Sequence, residues 1–296
     1  MAPDTPAIAI LPYHIKPGFI PRQVGLDELF WPLGRPDRLK RSGQTLRDLA
    51  ETDHLIAFVS TALMAQPWRA TRAQLSVMVL EPEAIHAKHM RRLRRSYRRF
   101  HKVLSCNEGL LNAIPNGVFF PLGGVWAEDW QERPHEKTKM CSLIASGKRD
   151  LSGHALRHDT VDWVRQEGLD VDVMGLGYQP FDKKSDGLSP FRYSIVIENV
   201  RERNYFTEKL IDAVLCQTVP IYWGCPNLAD FMDVSGMVIC QTKEDVRAAV
   251  RSMSEKDYAA RLPSLLRAQQ AAASYADVYE RAAQAVLATP SSGQMP

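Results

Sequence analysis

Residues 191–233 read FRYSIVIENVRERNYFTEKLIDAVLCQTVPIYWGCPNLADFMD. The apolar run 193–197 has the length and composition of a buried strand, and it ends on two polar residues, Glu198 and Asn199. A short polar loop leads to Tyr205 and to Thr207, whose hydroxyl suits a helix N-cap, and Glu208 and Lys209 open a helix over 208–216. A second apolar run follows at 219–223. Two strands with a helix between them make a parallel pair joined by a crossover, and strands without polar alternation are covered on both faces. The chain is therefore an α/β protein with a doubly wound parallel sheet.

The same rhythm extends in both directions. Apolar runs at 140–145, 171–174 and 237–240 read as further strands, and 153–166, 245–253 and 263–286 have helical spacing. Thr242 with Asp245 and Ser254 with Asp257 have the spacing of N-terminal capping pairs. In the first half, runs at 7–11, 54–60, 75–80, 102–106 and 117–121 read as strands, with helical patterns at 45–51 and 82–99. The polar, aperiodic stretch 124–139, which holds Pro134, reads as a linker. The expected organisation is a first domain over 1–130, a second over 137–270, and a terminal helix and tail over 271–296. Two Rossmann-like domains would then face each other across a cleft, with ligands at the carboxyl ends of the strands.

Composition agrees and narrows the options. The chain has 296 residues, 45% hydrophobic and 24% charged, enough for two cored domains and unlike disordered or fibrous chains. A net charge of +3 is too mild to imply nucleic acid. No apolar run approaches the ~18 residues of a membrane span, and the opening MAPDTPAIAILPYHI lacks the basic start of a signal peptide. Five cysteines, an odd number without a CxxC pair, read as reduced thiols in a cytoplasmic protein.

Chemistry concentrates where 198–199 turns into 207–209. A helix N-terminus offers N–H groups and a positive dipole end, so a lysine in the first turn is out of place unless an anion such as phosphate sits there too. A neighbouring carboxylate suits the diol of a ribose. The competing reading is an ordinary capped amphipathic helix with a solvated first turn, and spacing alone does not choose between them.

The runs Tyr-Ser-Ile-Val-Ile-Glu-Asn (193–199), Asn-Tyr-Phe-Thr-Glu-Lys (204–209) and Thr-Val-Pro-Ile-Tyr-Trp-Gly-Cys-Pro (218–226) resemble the C-terminal signature of the α-1,3/4-fucosyltransferases, glycosyltransferase family 10. Residues 137–157 and 171–175 are similar to the same family more weakly, and the first 130 residues match only in character. The resemblance implies the GT-B fold and a nucleotide-sugar donor, typically GDP-fucose, held by the second domain without a metal or other cofactor. It places Arg157 and Lys209 on the pyrophosphate and Glu208 on the ribose, with Glu198, Asn199, Tyr205 and Thr207 completing the pocket. It further implies inverting transfer to a hydroxyl of a glycan acceptor, such as a lipopolysaccharide-like oligosaccharide. Such a displacement needs one carboxylate as base. Glu81, which ends the run 75–80 as the family's acceptor-domain glutamate does, is the candidate. The Glu81-Pro82 pairing departs from the family's Glu-Ser-Pro, and Glu83 is the alternative.

Other signals are weaker. Asp170-Val171-Asp172 spells a metal-binding Asp-x-Asp but lies at the start of a strand. The helical pairs His86/His89 and His154/His158 have no third ligand nearby and read as solvated or capping residues. Ser146-Gly147-Lys148 lacks Walker spacing and reads as a turn. Residues 88–102, KHMRRLRRSYRRFHK, hold eight Lys/Arg on an amphipathic helix, a solvated surface or one that meets an anionic membrane face or a lipid-linked acceptor. Two other functions stay open: the same fold with a different nucleotide sugar, and a non-catalytic carbohydrate- or membrane-binding module.

Overall fold

The computed structural model describes residues 5–15, 23–65 and 71–288. Two compact units emerge, one made of the chain up to Pro121 together with Val278 onward, the other of Leu122–Asp277.

The first unit holds a five-stranded parallel sheet of β1 (Ile8–Ile10), β2 (His54–Phe58), β3 (Gln74–Val79), β4 (Val103–Ser105) and β5 (Gly117–Phe119), in that order. The period-2 geometry of a strand divides its side chains between two apolar layers. Ile8, Ile10, Ile56, Met78 and Leu104 face one side, where Ala282, Ala283 and Val286 pack. Ala9, Leu55, Ala57, Val77, Val79 and Val103 face the other, which Met90 and Leu93 cover. The helices here are α1 (Thr61–Ala65), α2 (Glu83–Ser96), α3 (Glu108–Leu111) and α8 (Val278–Leu287).

The second unit's parallel sheet contains β6 (Lys139–Ile144), β7 (Val171–Met174), β8 (Phe191–Ile197), β9 (Val219–Trp223) and β10 (Val238–Ile239), in the order β10-β9-β8-β6-β7. Its helices are α4 (Ser152–Gln166), α5 (Glu208–Leu215), α6 (Lys243–Ser252) and α7 (Glu255–Ser274). The order reverses beside β6 and β8, where doubly wound sheets bind their ligands at the strand ends.

All ten expected strands form, but three expectations are corrected. The pattern at 45–51 yields only a 3-10 turn, Leu46–Asp48, closed by a Thr45/Asp48 capping box. The helix expected from 263 instead starts at Ser254, whose hydroxyl accepts from the Asp257 N–H, and it runs through Pro263. The cap and the buried Tyr258, Leu265, Ala268 and Ala272 outweigh the single hydrogen bond a proline removes. That helix ends at Ser274, and its expected continuation is a separate helix, α8, which returns to the first sheet instead of forming a tail of its own. The boundary also falls at 121/122 and not within 131–136. Polar residues 124–139 look like a linker in sequence, yet they are pinned to the second unit. Trp126 and Ala127 donate N–H bonds to Asp212 Oδ1 at 2.8 and 3.0 Å. The Lys137 ammonium bonds the Ser189 and Cys216 carbonyls at 2.7 Å each. The tail 289–296 lies outside the described residues.

Candidate active site

The site is organised by one buried helix. Of the eight residues of α5, Glu208, Leu210, Ile211, Asp212, Ala213, Val214 and Leu215 are buried, and the side chain of Lys209 alone is partly exposed, at 24%. With every other residue of the helix buried, only its first turn, at Lys209, reaches the surface.

That turn is held from below by Glu198, which leaves the carboxyl end of β8 fully buried. Its carboxylate accepts the Thr207 N–H and the Thr207 hydroxyl, both at 2.8 Å. Burial pushes the Glu198 carboxyl above its ordinary range, and the nearby Lys209 opposes that shift. Two glycines make room for the arrangement. A Cβ on Gly224 would come within 2.5 Å of Glu198 Cγ, and one on Gly153 within 1.8 Å of the Glu198 carbonyl oxygen. The loop before α5 turns through Asn204 at φ 62, a left-handed conformation that asparagine tolerates. Asn204 and Asn227 exchange bonds of 2.9 and 2.8 Å that fix the loop.

On this base the charged groups converge. The Lys209 ammonium lies 2.9 Å from Glu208 Oε1 and 3.8 Å from Glu198 Oε2. Burial pulls its pKa down, but the two carboxylates outweigh that and raise it, so it stays a cation. From α4, Arg157 donates to Asn199 Oδ1 at 2.8 Å. Its buried Nε has no hydrogen-bond partner among the described residues, an unmet donor at the edge of the cluster. His154 spans from Asp150 (2.8 Å) to Asn199 Oδ1 (3.2 Å), and burial lowers its pKa, with Arg157 adding to the effect.

The seven expected donor-site residues thus come together. Lys209 and Asn199 are partly exposed, with Glu208 and Arg157 buried beside them. Glu198, Thr207 and Tyr205 are buried too and shape the turn; the Asn199 amide lies 3.5 Å from the Tyr205 hydroxyl.

The histidines expected to be solvated or capping are corrected in part. His158 is buried, bonded to the Tyr178 hydroxyl and the Lys148 carbonyl, and His154 is buried within the cluster. Asp172 pairs with Lys139 at the amino end of β7, away from these groups. Asp212, one turn beyond Glu208 on α5, was missed by sequence reading although its i,i+4 relation to Glu208 is visible. It is fully buried, and burial, against two backbone N–H bonds, raises its pKa to about 7. In the first unit, Glu81 lies just past β3 and is partly buried, while Glu83 opens α2 and accepts from Asn107 at 3.4 Å.

The chain is also similar to known proteins in sequence and fold. The sequence model of the glycosyltransferase family 10 (fucosyltransferase) C-terminal domain matches residues 134–257. The α-(1,3)-fucosyltransferase FucT of Helicobacter pylori is 43% identical over 54 residues, 18% of this chain and 11% of that protein. A putative fucosyltransferase-like protein of Arabidopsis thaliana is 24% identical over 148 residues, 49% of this chain and 28% of that protein. The matches therefore span well under half of either relative's length.

Among solved structures, an α1,3-fucosyltransferase with GDP-fucose superposes with a TM-score of 0.50 at 17% identity, over 74% of this chain and 70% of that one. OtsA superposes with a TM-score of 0.54 at 10% identity, over 82% of this chain and 74% of that one. At such identities the likeness is one of fold, and that fold is GT-B. The match to the glycosyltransferase family 10 C-terminal model falls within the second unit, Leu122–Asp277.

Proposed function

We propose that the protein is an inverting glycosyltransferase that moves L-fucose from GDP-fucose to a glycan hydroxyl. The observation that carries this reading is the first turn of α5, where an otherwise buried helix exposes a lysine beside Glu208 and Arg157. Lys209 and Arg157 neutralise the diphosphate as it leaves, and Glu208 accepts from the ribose hydroxyls. No metal is needed for this, since two cations and a helix N-terminus already face the developing charge. Glu81 takes the acceptor's proton.

Support comes from the family match at 134–257 and from the relatives' own names. A thermal-shift panel of GDP, UDP and CMP with their sugars tests the reading, because a ligand that binds only the native state raises its melting temperature. A shift selective for GDP and GDP-fucose is expected. A response to another nucleotide moves the donor assignment, and no response to any nucleotide overturns it.

The acceptor side carries a second proposal. On α2 and the turn after it, Lys88, Arg91, Arg92, Arg94, Arg95, Arg98 and Arg99 are exposed, and no acidic residue occurs between Glu83 and Glu108. This strip fits an anionic lipid surface. No helix among the described residues is long and apolar enough to cross a membrane. Sedimentation with phosphatidylglycerol vesicles but not phosphatidylcholine vesicles, lost in Arg91→Glu/Arg95→Glu, is the expected result.

A further inference from the structure

Beside α5 lies a pocket of about 660 Å³ wholly within the second unit, within the range of ligand sites. Trp126 and Lys184 line it, together with Glu128, Glu132 and Asp182. Trp126 is 66% exposed, yet its backbone is anchored by the bond to buried Asp212. The chain leading to it runs along the start of α5, with the Gly123 N–H bonded to the Phe206 carbonyl at 3.2 Å. Asp212 is three residues beyond Lys209, less than one helical turn. The backbone of Trp126 is therefore tied to α5 less than a turn beyond Lys209. Lys184 lies over the indole, its ammonium 5.8 Å from the centroid, and the charges of Asp212, Glu208, Lys209 and Arg157 act on it.

The chemistry of the walls is selective. The pocket's other carboxylate, Asp129, is engaged by Arg133 and Lys183, while Glu128, Glu132 and Asp182 are exposed. The lining also holds Arg133 and Lys183, but both are paired with carboxylates, Arg133 with Asp129 and Asp186 and Lys183 with Asp129, while exposed carboxylates accept hydrogen bonds from hydroxyls. An exposed, anchored indole offers a flat apolar face of the kind the C–H side of a pyranose covers.

We propose that this pocket is a subsite for a neutral sugar ring, with Trp126 as its platform, its acidic wall binding hydroxyls and Lys184 marking its border with the diphosphate. The inference rests on the functional reading above for that neighbouring diphosphate. The ring belongs either to the donor's own sugar or to the acceptor.

Calorimetry with GDP and GDP-fucose, and a glycan array probed in the presence of GDP, on wild type, Trp126→Ala and Trp126→Phe separate the cases. A roughly tenfold loss of GDP-fucose affinity in Trp126→Ala, with GDP unchanged and Trp126→Phe largely restored, assigns the donor sugar. Unchanged affinity for both nucleotides with loss of array signal assigns the acceptor. Wild-type behaviour of Trp126→Ala in both assays, or no sugar-dependent binding by the wild type in either, overturns the inference. If the wild type still binds GDP in that event, the functional reading stands. If it binds no nucleotide, both readings fall.

Discussion

Two turns in this molecule have the same construction and opposite outcomes. After β3 the first unit places Glu81, then Pro82 and a helix; after β8 the second places Glu198, a loop and a helix. Glu198 is fully buried and both its oxygens are taken by Thr207, so it serves the fold. Glu81 is partly buried, and its helix begins at Pro82 with no side-chain cap. A carboxylate at the end of a strand is thus not a role in itself. Burial and the demands of the following helix decide how far it is committed to holding the backbone.

The comparison is sharpened most strongly by Glu81→Gln. If Glu81 is the base, turnover with GDP-fucose falls about a hundredfold or more while GDP affinity is unchanged; retained turnover moves the base elsewhere. Gly153→Ala tests how tightly the second turn is built. The added carbon would lie 1.8 Å from the Glu198 carbonyl, so a stability loss of about 3 kcal/mol or more is expected by chemical denaturation.

Lys209→Ala should weaken GDP binding about tenfold to a hundredfold by calorimetry, the range for removing a charged hydrogen bond. Asp212→Asn reads the buried carboxyl further along α5. Its pKa rises from 3.8 to about 7 on folding, so the native state holds the proton more tightly. Stability should then fall as pH rises from about 4 to about 7, by up to ~1.4 kcal/mol per pH unit, and the asparagine variant should lose that slope. The smallest effect belongs to the first unit: a Cβ on Gly109 meets nothing closer than 3.4 Å, and Gly109→Ala should stay within about 0.5 kcal/mol of wild type.

Much of this was legible along the chain. Strands of a doubly wound sheet are buried on both faces, so their apolar runs stand out without knowledge of their partners. Thr207, Thr242 and Ser254 marked helix starts because capping is local chemistry. That 198, 199, 205 and 207–209 meet at one turn was legible because they are close in sequence; Arg157 was tied to them only through family resemblance. Trp126, Lys184 and Asp212 were not, since their meeting depends on segments 28 to 86 residues apart. The terminal helix was misplaced for a similar reason. Nothing local distinguishes an amphipathic helix that covers its own unit from one that crosses back to the first sheet.

The sequence by itself determined the α/β class, the ten strands and the identity of the polar turn, because strand burial and helix capping are written in neighbouring residues. Tertiary structure alone decided which of the turn's carboxylates is locked away and which groups share charge. Those outcomes depend on distances across the fold, and on the solvent that packing removes from each group.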